Sequence, residues 1–358
     1  MKTVFHGKRI STLLGVLPQT SIRFEDEIEN YTFPPKQTLR LQKVMGYKEH
    51  RIVKPTTATS DLCIAGLDHL LKKKVICREE IGAVIVATTS PDYWIPPVSR
   101  LVHGAFQLPE DVYCIDVNEG CAAFLMGLVQ AMMTLEHMEN GKKALVFASD
   151  VLSKKTSRQD RNSYPLIGDG AGIAIVENDN NAHDIHTVVY NSGEMGQALL
   201  IPAGGSRMPC TPETAVMKDE NGDGNLRCLD NLHMDGAAVF NFVQTKVPPM
   251  IENVLAYAGE TKEAIDWFLL HQPNKFMVRK LAEKLKIPYD KVPDDLVENY
   301  GNSSGACIPI NAVHTLGDRL EKETFRCVLS AFGSGLCWIA MTMELGGLDC
   351  CEMLISHL

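Results

Sequence analysis

No stretch of this 358-residue chain approaches the roughly 20 consecutive apolar residues of a membrane-spanning helix. The opening segment MKTVFHGKRISTLLGVLP also lacks a sustained apolar core followed by a small-residue cleavage site, so the reading is a cytoplasmic chain without a membrane partner. Positive charge is scarce: 35 Lys and Arg stand against 44 Asp and Glu, giving a net charge of −9. With only three Trp as well, a nucleic-acid groove is excluded as a general feature, and an electrostatic partner needs a local basic patch. No CxxC pair occurs, and the eleven cysteines are odd in number and sit mostly within apolar runs, which excludes a disulfide framework and a zinc claw and leaves reduced thiols. What is present is 45% apolar residues, enough for a large core, in a length that suggests about two domains or two packed halves.

Three short apolar stretches rich in β-branched residues read as buried strands: AVIVATTS (83–90), YCIDVNEG (113–120) and ALVFASD (144–150). Between the last two lies CAAFLMGLVQAMMTLEHM (121–138), apolar nearly all round and so a buried helix. Strand and helix in alternation predict an α/β fold with a parallel sheet. The pattern returns as WFLLHQPN (267–274), DLVENYGN (295–302) and CVLSAFGSG (327–335). Val84, Ile115 and Ala144 are 31 and 29 residues apart, and Trp267, Leu296 and Cys327 are 29 and 31 apart, so the halves match at offsets of 183, 181 and 183. A duplicated unit packed as one body follows, divided as 1–180, a connecting and capping segment 181–235, and 236–358.

Ligands of open α/β sheets bind beyond the carboxyl ends of the strands. There the first half places Cys121, at a strand-to-helix junction where free N–H groups favour a thiolate. The second half places His271 at a strand end and Asn302 in the turn NYGNSSGACIP, with Asn302 expected at the position equivalent to Cys121. A thiol, an imidazole and a carboxamide brought together by the pseudo-twofold make a nucleophile and two groups for a carbonyl oxygen. The FGSG turn (332–335) adds the N–H of Ser334, which with the N–H of Cys121 forms an expected oxyanion hole.

These segments resemble the thiolase-fold ketosynthases, most closely the β-ketoacyl-acyl carrier protein synthase III family. The resemblance covers nearly the whole chain through DVNEGCAAFLMGL, DRNSYPLIGDGAGIAIVE (160–177), HMDGAAVFNFVQTKVP (233–248), HQPN, YGNSSGACIP and AFGSGLCW. It implies an αβαβα five-layer sandwich, a homodimer, a Cys-His-Asn triad at Cys121, His271 and Asn302, and no cofactor beyond acyl thioesters of acyl carrier protein or CoA as substrates. The implied reaction is acyl transfer to Cys121 followed by decarboxylative Claisen condensation with a malonyl thioester, in fatty-acid, polyketide or related biosynthesis. Acyl transfer to an alcohol or amine, and a non-catalytic partner subunit of a heterodimeric synthase, are the alternatives; a papain-like hydrolase is disfavoured by the duplication and the absence of its CGSCW-type signature.

The resemblance also marks departures. Arg40 stands where CoA-dependent members have Trp, and Val44 and Met45 stand where they have Arg-Thr, while Arg161 of the DR pair is present as a substrate contact. Lys275, Arg279, Lys280 and Lys284 follow HQPN at helical spacing, and the first three are candidates for docking acyl carrier protein. In KDENGDGNLRCLD, Asp219, Asn221, Asp223, Gly224, Asn225 and Asp230 fall at calcium-loop positions 1, 3, 5, 6, 7 and 12. The last is Asp rather than Glu and no entering helix is evident, so a polar turn without metal is expected, with Asp219, Asn221 and Asp223 as the calcium alternative.

Overall fold

The computed structural model describes residues 1–219 and 222–358. Two sheets carry the chain. The first has six strands in the order Cys350–Ser356, Lys8–Pro18, Gly170–Asn178, Lys143–Asp150, Ile81–Ala87 and Tyr113–Val117. The second has five, Lys2–Phe5, Ile185–Asn191, Cys337–Gly346, Thr324–Gly333 and Trp267–Leu270. Starting from Lys8–Pro18 in one and Ile185–Asn191 in the other, the next three pairings are antiparallel, antiparallel and parallel in both sheets. The duplication expected from spacing is therefore a duplication of topology.

Both sheets are mixed rather than parallel, which corrects the expectation of a parallel sheet. The helical crossovers that enforce parallel strands lie on one side of each; among the antiparallel neighbours, Thr324–Gly333 and Cys337–Gly346 are joined by a tight turn, while the others pair segments distant in the chain. A second correction concerns 295–302, which forms the short helix Leu296–Tyr300 instead of a strand. Its polar sequence has no β-branched run, and only Leu296 and Val297 are fully buried. The terminal strands are exchanged: Lys2–Phe5 pairs with Ile185–Asn191 in the second sheet and Cys350–Ser356 with Lys8–Pro18 in the first.

Helices form three of five layers, alternating with the two sheets. Ala123–Leu135 and Cys307–Leu316 lie between the sheets, and their buried residues share one core with the facing sides of both, from Ile85 and Val146 to Leu329 and Ile339. A helix covered on all sides can be apolar all round, which explains its composition. Thr59–Lys72 and Val98–Phe106 cover the outer face of the first sheet; Gly236–Ala258 and Lys275–Leu285 cover that of the second. Double coverage is why every residue of Ile81–Ala87 is buried. Among the described residues no helix is long and apolar enough to cross a membrane.

Candidate active site

Cys121 lies in a single 3₁₀ turn, Gly120–Ala122, between the strand Tyr113–Val117 and the central helix Ala123–Leu135. Gly120 has φ of +53°, a conformation that an L side chain adopts at a cost of about 1 kcal/mol or more. The turn at the end of Thr324–Gly333 packs directly on the thiol-bearing residue: a Cβ added to Gly333 would lie 2.7 Å from the Cys121 nitrogen. Glycine at that point lets the two backbones approach, and Ser334 follows it into the same cavity.

The cavity measures about 1010 Å³ and is lined by Cys121, His271, Asn302, Gly333 and Ser334 together with apolar side chains such as Leu200 and Phe332. Burial pushes the Cys121 thiol up to about 12, with the Ser304 hydroxyl, 3.7 Å from Sγ, pulling the other way. The helix terminus acts in the same sense as that hydroxyl, toward the thiolate. His271 leaves the strand Trp267–Leu270 with its N–H donating to the Ser330 carbonyl at 2.8 Å. Its ring meets Phe332 edge-on, and burial alone lowers it to about 3, so the imidazole is neutral near pH 7. Among the described residues Nδ1 has no hydrogen-bond partner, leaving the ring free to carry its proton on Nε2.

Asn302 is held from both sides. Its N–H donates to Leu166 O at 2.5 Å, and its carbonyl accepts from Gly168 N–H at 3.0 Å. Its side-chain Oδ1 accepts from Ser304 N–H at 2.9 Å and from the Cys307 thiol at 3.1 Å, which assigns Nδ2 the donor role. The site thus combines a thiol, a neutral imidazole and an oriented carboxamide around one cavity.

Other expected residues lie elsewhere. Arg161 does not line this cavity; its guanidinium stacks on Phe33 at 3.3 Å from the ring centroid, and among the described residues its Nε and Nη1 have no hydrogen-bond partner. Lys275, Arg279 and Lys280 line a separate groove of about 620 Å³, which shares Tyr47 and Phe276 with the cavity. Each already faces a carboxylate: Glu298 at 2.8 Å, Asp294 at 2.5 Å and Glu283 at 2.6 Å. Asp219 accepts from the N–H groups of Asp223 and Gly224 at 3.0 and 2.9 Å, closing a turn, and Asn221 lies outside the described residues. Two buried polar residues beside the cavity were missed in the sequence, Ser304 and Asp150. The signals available were the serine two positions after Asn302 and the Asp ending ALVFASD.

A thiol, a histidine and an asparagine on one cavity, at the meeting of two duplicated halves, define a condensing enzyme of the thiolase fold. Profiles described as "3-Oxoacyl-[acyl-carrier-protein (ACP)] synthase III" and its C-terminal part match residues 115–193 and 255–345. A putative 3-oxoacyl-[acyl-carrier-protein] synthase 3 from Campylobacter jejuni is 31% identical over 346 residues, 94% of each chain. A β-ketoacyl-[acyl-carrier-protein] synthase III from Natranaerobius thermophilus is 34% identical over 298 residues, 82% of this chain and 86% of its own. The crystal structure of a 3-oxoacyl-(acyl-carrier protein) synthase from Burkholderia xenovorans LB400 superposes with a TM-score of 0.91 at 27% identity, covering 99% of both chains. The chain belongs to the β-ketoacyl-[acyl-carrier-protein] synthase III family and is an acyltransferase of the ketosynthase III type.

Proposed function

We propose that Cys121 is the nucleophile that accepts an acyl group from a thioester, and that His271 and Asn302 bind the carbonyl oxygen of a malonyl thioester as it loses CO2. The carbanion so formed attacks the acyl-Cys121 carbonyl, expelling the thiolate. The observation that carries this reading is the convergence of the three side chains on one cavity, two of them neutral donors. Neutral donors suit an enolate: they stabilise developing negative charge without pairing strongly with the malonyl carboxylate in the ground state. The N–H groups of Cys121 and Ser334 serve the acyl-enzyme oxyanion. The test is single-turnover condensation on enzyme already acylated. His271→Ala and Asn302→Ala are expected to slow it about 100-fold or more while Cys121 still acylates. Normal condensation by Asn302→Ala on a preloaded acyl group contradicts the assignment.

Carrier-protein thioesters are proposed as preferred donors over CoA, with the groove beside Lys275, Arg279 and Lys280 as docking surface. Acidic groups on the carrier would exchange with Glu298, Asp294 and Glu283, so acylation should weaken with salt. Equal use of CoA with no salt effect contradicts this. Segment 181–235 acts as the cap that shapes the acyl site, since Leu199, Leu200, Ile201 and Leu232 line the cavity. A homodimer is supported by the outer position of strand Tyr113–Val117 and the adjacent exposed apolar loop Tyr93, Trp94 and Ile95, 60%, 79% and 84% exposed. Sedimentation showing a monomer at micromolar concentration contradicts it. Eleven free cysteines support a reducing, cytoplasmic setting, which localisation of a tagged chain checks.

A further inference from the structure

Asn302 owes its place to a neighbouring segment as much as to its own turn. With its N–H on Leu166 O and its carbonyl on Gly168 N–H, it forms a short parallel bridge centred on Ile167. The Ile167 carbonyl, between those two bonds, is taken by His50, whose Nδ1 lies 2.5 Å away. His50 belongs to the strand Glu49–Arg51 and is 2% exposed. It also packs on the residue before Asn302: a Cβ added to Gly301 would lie 2.9 Å from His50 Cβ and 2.7 Å from the Gly168 nitrogen. Ile167 and Asn302 line the cavity, whereas His50 stands behind them and does not.

A carbonyl only accepts, so His50 Nδ1 carries a proton. The other ring nitrogen, Nε2, lies 3.2 Å from Oε2 of Glu27, in the 3₁₀ turn Phe24–Asn30. The contact is an ion pair without hydrogen-bond alignment, and neither atom has a hydrogen-bond partner among the described residues. Glu27 is 5% exposed, so water screens the pair little. A bare Nε2 lone pair would be repelled by the carboxylate, while a proton there makes the ring an imidazolium and the contact attractive. Burial works against that charge, but the Glu27 carboxylate and the Ile167 carbonyl outweigh it and hold His50 above its ordinary 6.5. The other titratable groups around the pair are Asp169, Tyr164 and Tyr31. Asp169 accepts from Val53 N–H at 2.9 Å and from the Ser153 hydroxyl at 2.5 Å, and the Tyr164 ring meets His50 edge-on at 5.4 Å. Burial raises both tyrosines, which stay neutral. A buried ion pair adds little net stability; here its two ends give the ring a fixed direction.

We propose that the His50–Glu27 pair positions Asn302 for the condensation step. Glu27 anchors the ring, the ring holds the Ile167 carbonyl, and residues 166–168 hold the Asn302 main chain on both sides. The carboxamide is thereby kept where it meets the malonyl carbonyl. His50 is a positioning residue, since it acts through Ile167 and touches no substrate. The inference rests on Asn302 serving condensation, as proposed above, so acylation of Cys121 is not expected to respond. Loss of the Nε2 proton as pH rises sets a lone pair against Glu27, and the ring moves off one of its two contacts. Positioning is therefore intact below the raised His50 pKa and is lost as pH rises through it.

The test measures two single-turnover rates from about pH 5 to 9, acylation of Cys121 and condensation on enzyme already acylated. His50→Ala is expected to slow condensation about tenfold or more and leave acylation within about twofold, which also shows that the variant folds. His50→Asn keeps an N–H near the place of Nδ1 and should recover most of the rate. His50→Phe fills the space without a donor and should be as slow as alanine, whereas simple packing requires the reverse order. Condensation by the parent should fall through an inflection above pH 6.5 that is absent from His50→Asn. In Glu27→Gln burial acts on His50 with less opposition, so the inflection should move to lower pH. Recovery by asparagine and not by phenylalanine, with the inflection displaced in Glu27→Gln, supports the inference. Phenylalanine at the parental rate, equal loss of both steps in the His50 variants, or an inflection missing from the parent or unmoved in Glu27→Gln overturns it. Normal condensation by Asn302→Ala removes the underlying reading instead, and the same assay tells the two failures apart.

Discussion

The two central helices begin alike and serve differently. Each is entered through one 3₁₀ turn, Gly120–Ala122 before Ala123–Leu135 and Ser304–Ala306 before Cys307–Leu316, and each turn opens on a residue with φ of +53°, Gly120 or Ser304. Positions 120 and 304, and 123 and 307, are 184 apart, so Cys121 corresponds to Gly305 and Asn302 to Asn118. The expected equivalence of Cys121 with Asn302 is thereby corrected. The first turn exposes its thiol to the cavity; the second buries its nearest thiol, Cys307, against Asn302 Oδ1. The two similar helix entrances are thus unlike in content, and in the proposed mechanism they divide the work: one for attack, the other to hold a carboxamide and a hydroxyl facing the first.

That contrast is broken most severely at sulfur. Cys121→Ala is expected to abolish condensation to the limit of detection, whereas Cys307→Ala, which costs Asn302 one weak hydrogen bond, should stay within about fivefold of the parent by product formation. Comparable loss in both would mean that the two thiols are not functionally distinct. The next effect is on stability. Gly120→Ala places a Cβ in the left-handed region, 3.3 Å from the Ser334 nitrogen, and is expected to cost about 1–3 kcal/mol by chemical denaturation. Ser304→Gly relieves the same conformation in the other half and should be neutral or stabilising by about 1 kcal/mol. Equal destabilisation would show that the two turns are not geometric equivalents.

The smallest effect is on pH dependence. His271 is lowered in the folded chain from 6.5 to about 3, so an unfolded chain takes up a proton that the folded one refuses. Its contribution to stability is therefore complete above pH 6.5 and declines as pH falls toward 3, and His271→Gln should flatten that decline in denaturation profiles. Over the same interval the condensation rate on preloaded enzyme should show no inflection from His271. An inflection near 6.5 that His271→Gln removes would place the imidazole in its ordinary range.

Most of this architecture could be read from residue spacing, because strands buried on both faces must be short apolar runs and the same spacing occurs twice. Cys121, His271 and Asn302 were legible because strand ends are where the chain breaks, and the family resemblance joined them. The helix Leu296–Tyr300 was misread because repeat spacing located an equivalent segment but could not give its conformation, and its polar residues favour a helical turn. Ser304 and Asp150 were passed over for a different reason. A serine in a Gly/Ser turn and an aspartate at a strand end have common local roles, and only the packing of the second turn on the first brings Ser304 to the thiol. The charge pairs of the basic face were equally hidden, since Glu298 and Asp294 lie far in sequence from the lysines and arginine that they face.

The central claim is that two unlike copies of one turn build a single acyl-enzyme site. Intact-protein mass spectrometry with peptide mapping, after brief exposure to a panel of acyl-carrier and acyl-CoA thioesters, tests it directly. The account predicts one acyl group per chain on the peptide containing Cys121, with Cys307 and the other nine cysteines unmodified. Acylation at Cys307 or elsewhere with Cys121 free, or no adduct from any thioester while condensation proceeds, would contradict it.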